Sequence, residues 1–168
     1  LVPYTEYILF RDSEKNRLLQ NIGGIANVTI LPKNCQSDDV LAFDNGPGNM
    51  MINAAMQFFY QKDYDHNGEI AKSGNIIQEL LTELQALPYF NEAPPKTTGR
   101  ELFGEQLVKN ICEKYINQQQ NVIATLTELT AWGISDSYQK FIFPKLPIDE
   151  VIIGGGGAYN TFLLYRLR

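Results

Sequence analysis

In residues 18–31, LLQNIGGIANVTIL, two runs rich in Leu, Ile and Val flank the break Gly23-Gly24. Each run is short, β-branched and bounded by turn residues, so Leu18–Ile22 and Val28–Leu31 read as strands of an antiparallel hairpin. The reversal takes more than a two-residue turn. Downstream, Val40-Leu41-Ala42-Phe43 forms a third short strand, ending at Asp44 where Asn45-Gly46-Pro47-Gly48-Asn49 forces a loop. Short connections make these first three strands antiparallel. From Met50 to Phe59 apolar residues recur at helical spacing, with Asn49 as the expected N-cap.

Upstream, residues 4–10 form a short apolar run ahead of the polar turn 11–16. Helical periodicity covers 76–87, where Ile76, Leu80, Leu81 and Leu84 are expected in the core and Pro88 stops the helix. It resumes over 101–116 and about 122–141, after the proline-rich loop 91–99. Glu150-Val151-Ile152-Ile153 reads as a buried strand that enters Gly154-Gly155-Gly156-Gly157, and 158–167 as a helix. A single mixed α/β domain spanning 1–168 follows, with helices inserted between the third and fourth strands.

Composition excludes several classes of function. The chain has 168 residues, 44% apolar and 20% charged, with a net charge of -5, as in a globular domain. No basic stripe offers a surface for nucleic acid. No apolar run approaches the roughly 20 residues that span a bilayer, and no secretory signal opens the chain, so a cytoplasmic setting is expected. Cys35 and Cys112 stand apart, without metal-ligand spacing. A single histidine, His66, removes schemes that need two imidazoles.

Three glycine-rich turns are where chemistry could reside. Gly23 and Gly24, with Asn27 just beyond, either let the backbone approach an anion or merely allow a tight hairpin. Asp44, on a rigid strand ahead of Gly46, Gly48 and Asn49, suits a general base opening onto a substrate loop; the alternative is an Asx-turn cap. Gly155, Gly156 and Gly157, followed by Asn160, could admit a nucleotide between strand and helix, or form a plain turn. The turn lacks the dinucleotide fingerprint, and the chain has no Gly-Lys-Ser/Thr phosphate loop. Asp63-Tyr64-Asp65-His66-Asn67-Gly68 begins like a calcium loop, but Gly74 stands where a bidentate Glu is required. Thr125, Thr127 and Glu128 read as structural, mid-helix residues. No metal site is expected.

Taken in order, NIGGIANVT, FDNGPGNM, YDHNGEIAKSG, PYFNEAPPKTTGRELF, ATLTELTA and GGGAYN resemble the anhydro-N-acetylmuramic acid kinase family over nearly the whole chain. That family sits in the actin, Hsp70 and hexokinase-like superfamily. The resemblance implies an actin-like, ribonuclease H-like lobe, the C-terminal one of two, with ATP in the cleft between lobes. It implies that Gly23, Gly24 and Asn27 face phosphates, that Gly155, Gly156 and Gly157 lie beside the adenosine, and that Asp44 is the catalytic base. The implied reaction is ATP- and Mg²⁺-dependent phosphorylation of the anhydro amino sugar, with opening of its anhydro ring. Asn45 stands where the family usually has a Thr or another small residue, which could alter the hydrogen bonding of Asp44 but leaves the carboxylate in place; Gly154 adds a fourth glycine. The family's N-terminal lobe would precede Leu1 and its last strand and helix would follow Arg168, so this chain alone is expected to be inactive, with an unpaired sheet edge that invites dimerisation. A truncated non-catalytic module, or a kinase for another sugar, are the alternative readings.

Overall fold

Residues 17–47 build three strands whose alternation puts apolar side chains on one face. In a computed structural model describing residues 2–168, β1 (Arg17–Ile22), β2 (Ile25–Leu31) and β3 (Leu41–Pro47) are antiparallel neighbours. β4 (Glu150–Gly154) runs parallel to β1 on its other side, giving the order β3-β2-β1-β4. The mixed sheet and the antiparallel first three strands are therefore as expected. Arg17 anchors the parallel pair from outside, reaching Glu150 at 2.7 Å and Asp12 at 3.2 Å.

Eight α-helices accompany the sheet among the described residues: α1 (Val2–Phe10), α2 (Met50–Tyr60), α3 (Glu69–Ser73), α4 (Gln78–Gln85), α5 (Arg100–Phe103), α6 (Glu105–Lys114), α7 (Gln119–Ser137) and α8 (Thr161–Arg166). One sheet face carries Leu18, Ile22, Val28 and Phe43, which pack on Ala131 and Ile134 of α7 and on Leu163 of α8. On the opposite face Leu19 and Leu31 meet Tyr7 of α1. A second core joins α2, α3, α4, α6 and the first half of α7 around Phe90 and Phe103. Helix α7 is thus buried on nearly all sides because it serves both cores.

The apolar run at 4–10, to which the sequence assigns no element, lies in helix α1, whose Tyr7 rests on the sheet. Several expectations change. Strand β3 does not stop at Asp44 but continues to Pro47, because a bulge opposite Ala26/Asn27 absorbs Asn45 and lets pairing resume at Gly46. The strand read as buried, β4, lies at the sheet edge: Val151 is 42% and Ile153 36% exposed, since apolar content alone does not distinguish a central from an edge strand. Ile76 is 39% exposed, one residue before the N-cap of α4, whereas Leu80, Leu81 and Leu84 are buried. The final helix begins only at Thr161, after a 3₁₀ turn over Gly156–Tyr159. At its other end α7 widens into a π turn, Tyr138–Ile142.

The glycine turns interlock by backbone contact. A Cβ on Gly48 would lie 2.2 Å from the Gly23 carbonyl oxygen, which cannot swing away, whereas one on Gly154 would meet nothing within 4 Å. Gly48→Ala should therefore destabilise the protein by about 2 kcal/mol or more, and Gly154→Ala should stay within about 0.5 kcal/mol. Urea denaturation of the two variants beside the parent checks this, and equal midpoints for all three would contradict it.

Candidate active site

The Ile22–Gly24 end of the hairpin is a hub. Gly23 O accepts from Asn49 N at 2.7 Å, and Gly24 O accepts from Gly48 N at 2.9 Å and Met50 N at 3.1 Å. From the other side the last glycine turn closes in. Gly155, at φ +82°, lies where a Cβ would be 2.5 Å from Asn21 Oδ1 and 2.7 Å from Ile22 O. Gly157 is pressed against the Ile22 side chain. All three turns singled out in the sequence thus meet at one end of the sheet, although most of the chain separates the first from the last.

Asp44 pairs with Asn27 across β2 and β3, on the sheet face opposite Phe43. Its side chain lines a cavity of about 390 Å³ together with Asn27, Thr29 and Lys96. The carboxylate oxygen Oδ2 accepts from Thr98 N at 2.9 Å. This is not the Asx-turn alternative, because the donor lies 54 positions away. Asn27 also borders a second cavity of about 520 Å³ with Asn21, Glu6 and Gly154. Thr29, inside this polar strip, donates its hydroxyl to Glu6 of α1.

Asn45, next to Asp44 in the bulge, points the other way. It is 1% exposed. Its Oδ1 accepts from Gln20 Nε2 at 2.8 Å, and its Nδ2 donates to Ser137 Oγ at 2.7 Å. Gln20 in turn accepts from the Tyr138 hydroxyl at 2.6 Å. The Asn45 side chain therefore bonds to the core and not to the Asp44 carboxylate. Burial raises the Tyr138 hydroxyl pKa well above the ordinary value, so this network stays neutral.

A larger cavity of about 750 Å³ opens between the start of α2, the turn at 64–67 and the turn at 156–161. Asn49, Asn53, Asn67, Gly156 and Asn160 contribute to its wall, as do the exposed rings of Tyr64 and Tyr159. Among the described residues no lysine or arginine lines it. Of these two asparagines that precede helices, only Asn160 caps with its side chain. Asn49 precedes α2 but makes no side-chain cap; its Nδ2 donates to Ile22 O at 3.3 Å instead. Asn160 is the true N-cap, accepting from Leu163 N at 2.9 Å at the start of α8. Gly23, Gly24, Gly46 and Gly48 line none of these cavities and act through their backbone.

Sequence reading passes over Thr130 and Tyr89, and reaches Lys96 and Thr98 only as lesser candidates beside Thr97, Arg100 and Glu101. Thr130 on α7 donates to Gly48 O at 2.7 Å and ties the loop to the helix. Tyr89, Lys96 and the Thr98 amide surround Asp44; the polar PPKTTG loop is the signal for Lys96 and Thr98, and nothing local marks Tyr89. Thr125 caps from within α7, accepting from Ile77 N at 2.9 Å, and Glu128 pairs with Arg166 at 2.6 Å, so both are structural as expected. The calcium-like loop is also structural. Asp65 accepts from Ile70 N and Ala71 N, both at 3.0 Å, and so caps α3. Among the described residues no group of three or more His, Cys, Asp or Glu could hold a metal ion, and no helix is long and apolar enough to cross a membrane.

An acid beside interlocked glycine turns, on a mixed sheet clad with helices, makes a mixed α/β unit consistent with a lobe of a sugar kinase. The chain belongs to the anhydro-N-acetylmuramic acid kinase family, whose sequence pattern matches residues 1–168. It is 50% identical to proteins named anhydro-N-acetylmuramic acid kinase from Bacillus cereus (strain AH820) over all of its own length and 44% of theirs, and from Francisella tularensis subsp. novicida over 98% of its length and 43% of theirs. The chain thus spans less than half the length of these relatives.

Neither cysteine is built for catalysis. Burial pushes the Cys112 thiol from 9.0 up to about 12 and raises that of Cys35 as well. Both thiols should resist a disulfide reagent at pH 8 until denaturant is added. From pH 9 to 12 the unfolded chain releases the Cys112 proton while the folded chain keeps it, so stability should fall as pH rises through that window. Urea midpoints measured from about pH 8 to 11 check the sign, and a flat or rising series would contradict it.

Proposed function

We propose that this chain forms the base-bearing half of an ATP-dependent kinase acting on 1,6-anhydro-N-acetylmuramic acid. Asp44 takes a proton from a water that attacks the anomeric carbon. The bond from that carbon to the 6-oxygen breaks, and the freed 6-oxygen receives the γ-phosphoryl group of ATP. The products are N-acetylmuramic acid 6-phosphate and ADP, and the proton passes from Asp44 to solvent. The supporting observation is that a carboxylate on a sheet face lines a cavity beside Asn27, on the strand that leads back to the Gly23-Gly24 turn.

The chemistry suits these parts. Phosphoryl transfer depends on positioning and charge neutralisation more than on covalent help from the protein. Asp44 lies in a bulged strand, with one oxygen already bonded to Thr98 N, which fixes the orientation of the carboxylate. The cavity of about 750 Å³ falls in the range of small-molecule sites, and its asparagines and tyrosines suit a neutral base and ribose better than phosphates. Phosphates would extend from it toward the Gly155–Gly157 and Gly23-Gly24 turns. Mg²⁺ would neutralise phosphate charge; with no acidic cluster among the described residues, it would be held mainly by the nucleotide. The remaining length of the family's proteins would supply the facing lobe and much of the sugar pocket. The sheet order, with three antiparallel strands and a fourth parallel to the first, agrees with an actin-like lobe.

Two variants, placed in the chain carried at the full length of its relatives, test this. Asp44→Asn should lower sugar phosphorylation at least about a hundredfold while ATP still binds, because a positioned base contributes about 10²–10⁴; normal turnover in that variant would refute the assignment. Gly156→Val, whose Cβ would lie 3.8 Å from Asn49 Nδ2, should fold normally yet weaken ATP binding about tenfold. Unchanged ATP affinity by titration calorimetry would remove the nucleotide from that cavity.

A further inference from the structure

Lys96 is a buried cation without a carboxylate partner among the described residues. It is 7% exposed, and its Nζ lies 4.4 Å from the Tyr89 ring centroid and 5.0 Å from that of Phe141. The ammonium donates to Tyr89 O at 3.0 Å. Burial pulls its pKa below that of an ordinary lysine. A methionine would fill a similar space without the desolvation cost of the charge. Position therefore matters more than packing here, and the surrounding bonds show what it positions.

Three hydrogen bonds close a ring through the proposed base. Asp44 N donates to Lys96 O at 3.1 Å, Lys96 Nζ donates to Tyr89 O at 3.0 Å, and the Tyr89 hydroxyl donates to Asp44 O at 2.7 Å. Tyr89 is itself locked among aromatic rings, edge-on to Phe90 and Phe103 at about 6 Å. Burial, reinforced by the nearby Asp44 charge, raises the Tyr89 pKa, so its hydroxyl remains a donor. Two residues past Lys96, the Thr98 amide donates to Asp44 Oδ2. Whatever holds Lys96 in place also holds that amide against the carboxylate.

We propose that Lys96 and Tyr89 are positioning residues for Asp44. Their ring keeps the Thr98 amide on Oδ2 and so leaves Oδ1 as the oxygen that accepts the proton. Neither side chain touches the reacting atoms. The buried ammonium acts as a pin that joins the 88–91 turn to the loop segment at 96–98. The inference rests on the reading of Asp44 as the base.

Its test uses Lys96→Met, Tyr89→Phe and Asp44→Asn, with Lys96→Met also combined with Asp44→Asn, in the chain at the full length of its relatives. Lys96→Met and Tyr89→Phe should each lower kcat about tenfold or more while KM for either substrate moves less than about threefold, the signature of a lost transition-state contribution. In the Asp44→Asn background Lys96→Met should cause no further loss, because residues acting through one group are non-additive. Should Lys96→Met fail to fold in urea denaturation, Tyr89→Phe, which keeps the ring and removes only the hydroxyl, decides the question. Wild-type kcat in Tyr89→Phe and in any folded Lys96→Met, with Asp44→Asn inactive, would overturn the positioning role and leave the base in place. An equal further loss in the double variant, or a rise in KM alone, would overturn it as well. Normal turnover in Asp44→Asn would instead bring down the base itself.

Discussion

Backbone packed on backbone at the Ile22–Gly24 hairpin is the constraint on which the candidate active site depends. No side chain separates Gly48 from the Gly23 carbonyl, or Gly155 from the Ile22 carbonyl, so the three turns form one unit. Such contacts exist only where Cβ atoms are missing, and they leave little room for one turn to move without the others. Thr130 adds a bond from α7 to the Gly48 carbonyl, which couples this unit to the helix shared by both cores. The end of the sheet is therefore rigid while the cavities beside it remain open.

The bulge in β3 provides the second element of order. Two adjacent residues serve opposite faces. Asn45 enters the core network of Gln20, Ser137 and Tyr138, and Asp44 faces the polar strip with Asn27. A buried polar network of this kind is favourable only when every partner is satisfied, and a register slip would strand several of its donors and acceptors. The network thereby specifies which way the acid points. On the far side, the ring through Tyr89 and Lys96 holds the same residue from outside the sheet. Asp44 is restrained from both faces, as pre-organised chemistry requires.

Much of this was legible along the chain. The three antiparallel strands, the helix after Asn49 and the helical stretch after residue 76 follow from periodicity and glycine placement, because those signals are local. The order of motifs pointed to the family, whose pattern matches the whole chain. Less legible were features that depend on a distant partner. The apolar run at 4–10 suits strand or helix equally, and only the sheet beneath it selects the helix. Asn49 and Asn160 are both asparagines ahead of helices, yet one caps and the other reaches Ile22, since the interlocked turns leave them facing different donors and acceptors.

The sequence by itself determined the mixed α/β class, the three glycine turns and the acid between them, because strand and turn preferences act over a few residues. Only the tertiary structure decided that the turns meet, that Asp44 and Asn45 face opposite sides of one bulge, and that β4 lies exposed at the sheet edge. It also brought Tyr89, 45 positions beyond the acid, and the still more distant Lys96 into one hydrogen-bonded ring with it. Contacts across such separations arise from packing the layers together, and no local pattern encodes them.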